Sequence, residues 1–253
     1  MIQCRPLQDI DEFEAAYNLE IAVWGIDPSD AVPVNLLRAL QHGGSSLLGA
    51  YDGARMVGVA LAFPARVGER WVLWSHLTGI DRAYQGQGVG FALKLYQRQW
   101  ALDNGYDEIR WTFDPLQRGN AHFNLRRLGA TAERYYVNFY GVMIDEINHA
   151  NVPSDRVEAV WRLRDPRVEQ LQNGEQDAVP DARADSADRY GITARRELRR
   201  IRDAYLVQIA PPALPRSLLA WRLALRQVLS AAFERGYTAV DFITADAYLL
   251  RRT

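Results

Sequence analysis

The stretch Trp71-Val72-Leu73-Trp74-Ser75-His76-Leu77-Thr78-Gly79-Ile80-Asp81-Arg82-Ala83-Tyr84-Gln85-Gly86-Gln87-Gly88-Val89-Gly90-Phe91 changes period along its length. Its first half reads as a strand over 71–80, with Val72, Trp74, His76, Thr78 and Ile80 on one face by the alternation of a pleated strand. Gly86, Gly88 and Gly90 then make a turn without side chains. A helix follows to about Asn104, with Leu93, Tyr96 and Trp100 as its apolar stripe and Gly105 closing it. Successive bare N–H groups at the positive end of a helix can converge on an anion, and the natural one is a pyrophosphate. Taken alone, the glycines serve equally well as a plain helix-start turn. Two named phosphate motifs fail on spacing. No Gly-Lys-Ser/Thr completes a P-loop, and the glycines run G-x-G-x-G where a dinucleotide fingerprint needs G-x-G-x-x-G.

Outward from this unit the chain reads as one α/β domain over about residues 1–145. Asp9 is a candidate N-cap for a helix over 9–24 in which Phe13, Ala16, Tyr17 and Ile21 recur at helical spacing. Val34 to His42 reads as a second helix closed by Gly43-Gly44. Ser46–Tyr51 and Met56–Phe63 are strands of a hairpin turned at Asp52-Gly53. Glu108–Phe113 is a strand, Asn120 opens a short helix ending at Leu128-Gly129, and Tyr135–Ile144 is a last strand. Beyond lie a strand at Val157–Arg162 and a polar stretch over 165–203, read as a long, partly mobile loop. A strand at Ala204–Ile209 comes next, then a helix striped by Leu218, Trp221, Leu225, Val228, Leu229 and Ala232, then strands at Thr238–Ile243 and Ala247–Leu250. Helix-Gly236-Tyr237-strand faintly echoes helix-Gly105-Tyr106-strand. The second helix is entered through Pro211-Pro212-Ala213-Leu214-Pro215, and proline offers no N–H to a phosphate.

Composition narrows the function. The chain has 253 residues, a net charge of −1, 48% hydrophobic residues and one cysteine, Cys4. These values exclude a disordered chain, a disulfide scaffold and a thiolate zinc cluster. The charge balance argues against a general nucleic-acid or anionic-membrane binder, so the Arg195–Arg202 cluster reads as a solvated face. Lys94 is the sole lysine, a bias read as codon usage. No apolar run of about 18 residues occurs. Met1-Ile2-Gln3-Cys4-Arg5-Pro6 lacks the charged start and apolar block of a signal peptide, so a cytoplasmic protein is expected.

Gln85-x-x-Gly88-x-Gly90 resembles the Q/R-x-x-G-x-G/A signature of the GNAT superfamily of acyl-CoA-dependent N-acyltransferases. The element order over residues 1–145 is similar to that family's fold. Asp81 through Lys94, and Trp111-Thr112-Phe113-Asp114-Pro115-Leu116 through Asn120-Ala121-His122-Phe123-Asn124, resemble a bacterial subgroup with a C-terminal extension. The resemblance implies an α/β (α+β) fold with a mixed, mostly antiparallel sheet flanked by helices. A GNAT-like domain would occupy 1–148. A smaller βαβ-like part, readable as a degenerate half-repeat, would occupy 149–253.

It also implies a ligand and a reaction. Acetyl-CoA or another acyl-CoA, succinyl included, would lay its pyrophosphate on the amides of Gly86, Gln87, Gly88, Val89, Gly90 and Phe91. Gln85 and Asn120 would also serve the cofactor. Its pantetheine would run beside Thr78 and Ile80, in a splayed gap between the 71–80 and 108–113 strands. The Thr78 N–H would stabilise the oxyanion of a tetrahedral intermediate as a primary amine attacks directly. His76 is the candidate base, set against a core histidine beside Trp74; Asp114 is the alternative base, set against a turn-forming Asp. Where many members place a tyrosine as acid, this chain has Asn124, leaving Tyr135, Tyr136 or Tyr140, or no dedicated acid. Trp24, Asp27 and Phe63-Pro64-Ala65-Arg66 are expected to meet the acceptor, a small-molecule amine such as an amino acid. The appendage is expected to cover the acceptor side or form a homodimer interface, with Trp221 and Leu225 on an exposed face. No metal is expected. A non-catalytic acyl-CoA-binding module is the competing reading.

Overall fold

The computed structural model describes residues 1–141, 152–174, 199–201, 204–208, 218–243 and 246–252. The chain forms two compact units that divide between Trp111 and Thr112. The expected GNAT-like span over 1–148 therefore does not coincide with one compact unit.

The first unit opens with a strand that sequence reading missed, β1 (Ile2–Pro6), paired antiparallel to β2 (Ser46–Asp52). It is short and ends in proline, so it carries little alternation to read. α1 (Ile10–Trp24) starts where expected: the Asp9 side chain accepts from the Glu12 N–H, a cap worth about 1 kcal/mol. Its buried face is Phe13, Ala16, Leu19 and Val23 rather than the Tyr17–Ile21 side. After α2 (Val34–His42), β2 pairs with β3 (Arg55–Val67) around Gly53, whose φ of 60° suits a residue without Cβ. β3 pairs with β4 (Arg70–Ile80), the helix α3 (Val89–Asp103) crosses over, and β5 (Glu108–Phe113) runs parallel to β4. The strand order is β1-β2-β3-β4-β5. α1 and α2 cover one face, where Phe13, Leu37, Val59 and Leu61 share a core. α3 covers the other, where Leu48, Val57, Ala60 and Leu93 pack. With both faces covered, β2 is buried almost throughout, as a doubly packed strand must be.

In the second unit, α4 (Arg118–Ala121) runs into a π-helical turn over His122–Arg127 and is followed by β6 (Thr131–Tyr136) and β7 (Arg156–Arg162). Asn120 does not cap this helix. Gln117 holds the N-cap position without a side-chain cap bond, Asn120 is the third helical residue, and Asp114 makes the preceding turn by accepting from the Leu116 N–H. The expected loop from 165 begins instead with α5 (Pro166–Gln172), capped by Asp165 and anchored by buried Val168. Its later part holds β8 (Arg199–Ile201), paired with β9 (Ala204–Gln208). Residues 175–198, most of the Arg195–Arg202 cluster, the Pro211–Pro215 entry and the end of the strand expected to reach Ile144 lie outside the described residues. α6 (Leu218–Glu234), β10 (Tyr237–Ile243) and β11 (Ala247–Arg252) complete the unit, whose strand order is β7-β6-β10-β11-β9-β8. Leu225 is buried, not on an exposed face; Leu219 and Leu223 are the exposed leucines of α6.

Gly105 (φ 82°) between α3 and β5 and Gly236 (φ 80°) between α6 and β10 keep the helix–glycine–strand order of the echo, and the second unit holds another instance. α4 and its π turn lead through Gly129 (φ 77°) to β6 and β7; α6 leads through Gly236 (φ 80°) to β10 and β11. β6 and β10 pair antiparallel at Ala132↔Ala239, so β7-β6-β10-β11 reads alike from either end. β9 and β10, joined by α6, are both antiparallel to the β11 that lies between them.

Candidate active site

The site is built on β4 and the turn into α3, within the first unit. Gly86 (φ 74°) and Gly88 (φ 84°) hold the left-handed conformation that disfavours any side chain. Gly88 is the N-cap of α3, and the helix's own bonding begins with the Ala92 N–H on the Gly88 carbonyl. The amides of Val89 and Gly90 have no intrahelical acceptor and point out of the helix start. Gly90 has ordinary helical geometry, and a Cβ there would meet Ile80 Cγ1 at 3.5 Å, so space does not require glycine. Asp81 ties the turn down by accepting from the Ala83 N–H and pairing with Arg55 at 2.6 Å. Gln85 Nε2 donates to the Ile80 carbonyl (3.0 Å) and Gln87 Nε2 to the Ala83 carbonyl (2.7 Å). Gln85, Gly86, Gln87 and Gly88 are exposed and Val89 is buried, so a ligand can reach the turn while the helix stays anchored.

The parallel ladder between β4 and β5 consists of Leu73↔Ile109 and Trp74↔Arg110. β4 runs on to Ile80 without a further β5 pair among the described residues. On the other side, Leu61 pairs with Leu77 and its neighbour Ala62 with Ser75, so His76 is the extra residue of a β-bulge. The bulge overturns the single face expected for Val72, Trp74, His76, Thr78 and Ile80. Thr78 pairs with Ala60 on the α3 side, whereas Trp74 pairs with Phe63, which alternates with Leu61 on the α1 side. One inserted residue reverses every later side chain. Ser75, Thr78 and Ile80 therefore share the α3 face. Thr78 Oγ1 is buried with no partner among the described residues, a polar group awaiting one.

His76 is exposed rather than a core histidine, with its ring centroid 6.0 Å from that of Phe63, on the α1 side. Surrounding protein desolvates it and lowers its pKa below the ordinary 6.5, so the imidazole is neutral at pH 7. Trp24 lies over Gly79: a Cβ there would stand 2.7 Å from the indole. Asp27 is spent on its own turn, accepting from the N–H and hydroxyl of Ser29. Asp114 is held by Arg222 in a bidentate pair at 2.6 Å, which removes it as a ready base.

The candidate acids are engaged too. The Tyr135 hydroxyl donates to Asp155, and burial, then that bond, push its pKa far up. The Tyr136 hydroxyl donates to Glu158 at 2.5 Å, and the Tyr140 hydroxyl shares a 3.0 Å bond with Thr112. Asn124 is buried and Asn120 exposed, both in the second unit.

Sequence reading missed Lys94. It is buried in α3, donating to Ser75 Oγ at 3.0 Å and Gln97 Oε1 at 2.9 Å, with Trp111 against it. Its one available signal was its solitude among arginines.

The Acetyltransferase (GNAT) family matches residues 10–130. That span, a little under half of the 253 residues, carries the similarity to GNAT acetyltransferases. Solved structures similar to the chain include the ribosomal-protein-S18-alanine N-acetyltransferase of Escherichia coli, at 14% identity and a TM-score of 0.51, covering 64% of this chain and 94% of that one. Another is yncA of Salmonella typhimurium, solved with its cofactor acetyl-CoA, at 17% identity and a TM-score of 0.50, covering 72% and 98%. An N-acetyltransferase of Staphylococcus aureus Mu50 matches at 13% identity and a TM-score of 0.50, covering 65% and 99%. At these identities the likeness shows the GNAT fold. No curated protein matches the sequence. No described helix is long and apolar enough to cross a membrane, and no group of three or more His, Cys, Asp or Glu among the described residues is placed to hold a metal.

Proposed function

We propose that the protein moves an acetyl or other short acyl group, succinyl included, from acyl-CoA to a primary amine of a small cytoplasmic molecule, with amino acids as an acceptor class. One observation carries the reading: two left-handed glycines open the start of α3 beside the end of a β4 that has parted from β5 and holds the orphaned Thr78 hydroxyl. The turn amides at Gly86 to Phe91 would hold the diphosphate, with Gln85 fixing the Ile80 end of β4. The backbone at Thr78 and Ile80 would take the pantetheine arm, and the Thr78 N–H would receive the charge that develops on the acyl oxygen. Acyl-CoA supplies the activated thioester. His76, neutral and on the face carrying Phe63, would take the proton of the incoming ammonium.

The test is a thermal-shift screen with CoA, acetyl-CoA and succinyl-CoA, followed by CoA release with an amine panel. A ligand at 100 times its Kd stabilises the fold by about 2.7 kcal/mol. No shift with any of the three removes the reading. The engaged hydroxyls of Tyr135, Tyr136 and Tyr140, with Asn124 in the family's tyrosine position, favour a second reading: an acyl-CoA-binding module without turnover. Binding without CoA release across the panel would select it.

A further inference from the structure

The residues just past the last β4/β5 pair do not pair with each other. Ser75 follows Trp74 and Trp111 follows Arg110, and both turn to one group, the Lys94 amine. The amine donates to Ser75 Oγ (3.0 Å) and Gln97 Oε1 (2.9 Å) and stands 4.3 Å from the centre of the Trp111 ring. Lys94 is 3% exposed, Ser75 5% and Gln97 0%, and among the described residues the hydrogen-bond partners of the Lys94 amine are a hydroxyl and an amide oxygen, with no carboxylate. A buried amine without a counter-ion is costly. A methionine would fill the same space without that cost. The amine nevertheless has two oxygens and a ring face against it. It meets Ser75 one residue before the bulge at His76 and three before the unpartnered Thr78 hydroxyl.

We propose that Lys94 is a positioning residue that props apart β4 and β5 where their ladder ends, through Ser75 on one strand and Trp111 on the other. Without the prop, Ser75 and Trp111 can extend the ladder, as two parallel strands tend to do, and the fork closes. The inference rests on the proposed seating of acyl-CoA in that fork. It adds that the thioester end depends on Lys94 while the diphosphate end does not. The Gly86–Gly90 turn is held by Asp81, Gln85 and Gln87, none of which touches the cluster.

The experiment compares two probes on wild type and Lys94→Met: 3′-phospho-ADP, which has the diphosphate but no pantetheine arm, and acetyl-CoA. The expected result is that the variant binds 3′-phospho-ADP within about threefold of wild type, binds acetyl-CoA at least tenfold more weakly, and loses at least tenfold in kcat. Equal acetyl-CoA affinity and kcat in the two proteins would overturn the inference, and so would a parallel loss of both probes. Failure of wild type to bind either probe would instead sink the acyl-CoA reading, and this inference with it. Should the variant not fold, the wild type decides. As the only lysine, Lys94 gives a single ¹³Cε signal in lysine-labelled protein. That signal should move on adding acetyl-CoA and stay put with 3′-phospho-ADP. A signal indifferent to acetyl-CoA refutes the role.

Discussion

His76 and Lys94 stand on opposite faces of β4, and each makes a prediction at the scale of one side chain. Desolvation lowers the His76 pKa below 6.5, so its base form dominates at neutral pH and is lost only as pH falls through the lowered value. If it takes the ammonium proton, kcat should fall on the acid side below about pH 6.5. His76→Gln should then lower kcat by ten- to a thousandfold and flatten that limb, with acyl-CoA binding unchanged. A pH–rate profile identical to wild type would remove His76 from the chemistry. Lys94 bears on stability. Burial depresses its pKa from 10.5 to about 7. Between those values the unfolded chain holds the proton that the folded chain has released, so this group makes the fold more stable as pH rises from about 7 toward 10.5. Below about 7 both states are protonated and the cost of the buried charge is complete. Lys94→Met should remove this slope and raise the urea midpoint most at low pH. A stability difference between the proteins that does not vary from pH 6 to 9.5 would contradict the buried, neutral-prone amine.

At the scale of elements, the turn into α3 separates a conformational need from a spatial one. Gly53 and Gly88 both have positive φ, and a Cβ at either meets nothing within 4 Å. Alanine at either site should cost about 1–2 kcal/mol in backbone strain. Only Gly88→Ala puts a methyl before the amides at the start of α3. It should weaken acyl-CoA binding at least tenfold where Gly53→Ala leaves Kd unchanged; calorimetric titration of both variants checks this, and equal losses would argue against diphosphate binding at the turn. This element was legible in the sequence because glycines, helix stripe and strand alternation all act locally. What stayed illegible is what a single residue or a distant partner decides. The alternation from Val72 to Ile80 looks unbroken, yet the register against β3 inserts His76 as a bulge. Asp114 and the three tyrosines looked available because Arg222, Asp155 and Glu158 are remote in sequence. α5 hid in a polar run because seven residues and one buried valine make a weak stripe. The Lys94 cluster, drawn from α3, β4 and β5, shows in the sequence only as a solitary lysine.

At the scale of the molecule, the family match ends at residue 130, inside the second compact unit. Within that unit Trp161 of β7 is fully buried and its Nε1 donates to the Leu128 carbonyl at 2.8 Å. Arg222 of α6 clamps Asp114, Arg226 clamps Asp155, and buried Tyr248 of β11 donates to the Pro115 carbonyl at 2.7 Å. The stretch after β5 is thus held by β7, α6 and β11. Removing one side of a buried ion pair costs about 3–5 kcal/mol, because the other charge is left stranded. Arg222→Met should approach that loss in denaturant melts, and Asp114→Asn paired with it should restore part of it. Truncation after residue 148 removes all of these partners at once. It strips β6 of both strand neighbours, β7 and β10, and uncovers Leu125, Leu128 and Ala132. Exposed strand edges and apolar surface drive association. The 1–148 fragment should therefore elute as aggregate and melt without a cooperative transition, even though it contains every residue of the family match. A monodisperse fragment melting within a few degrees of the full chain would mean that the GNAT domain is self-sufficient and that the C-terminal clamps serve something other than its fold.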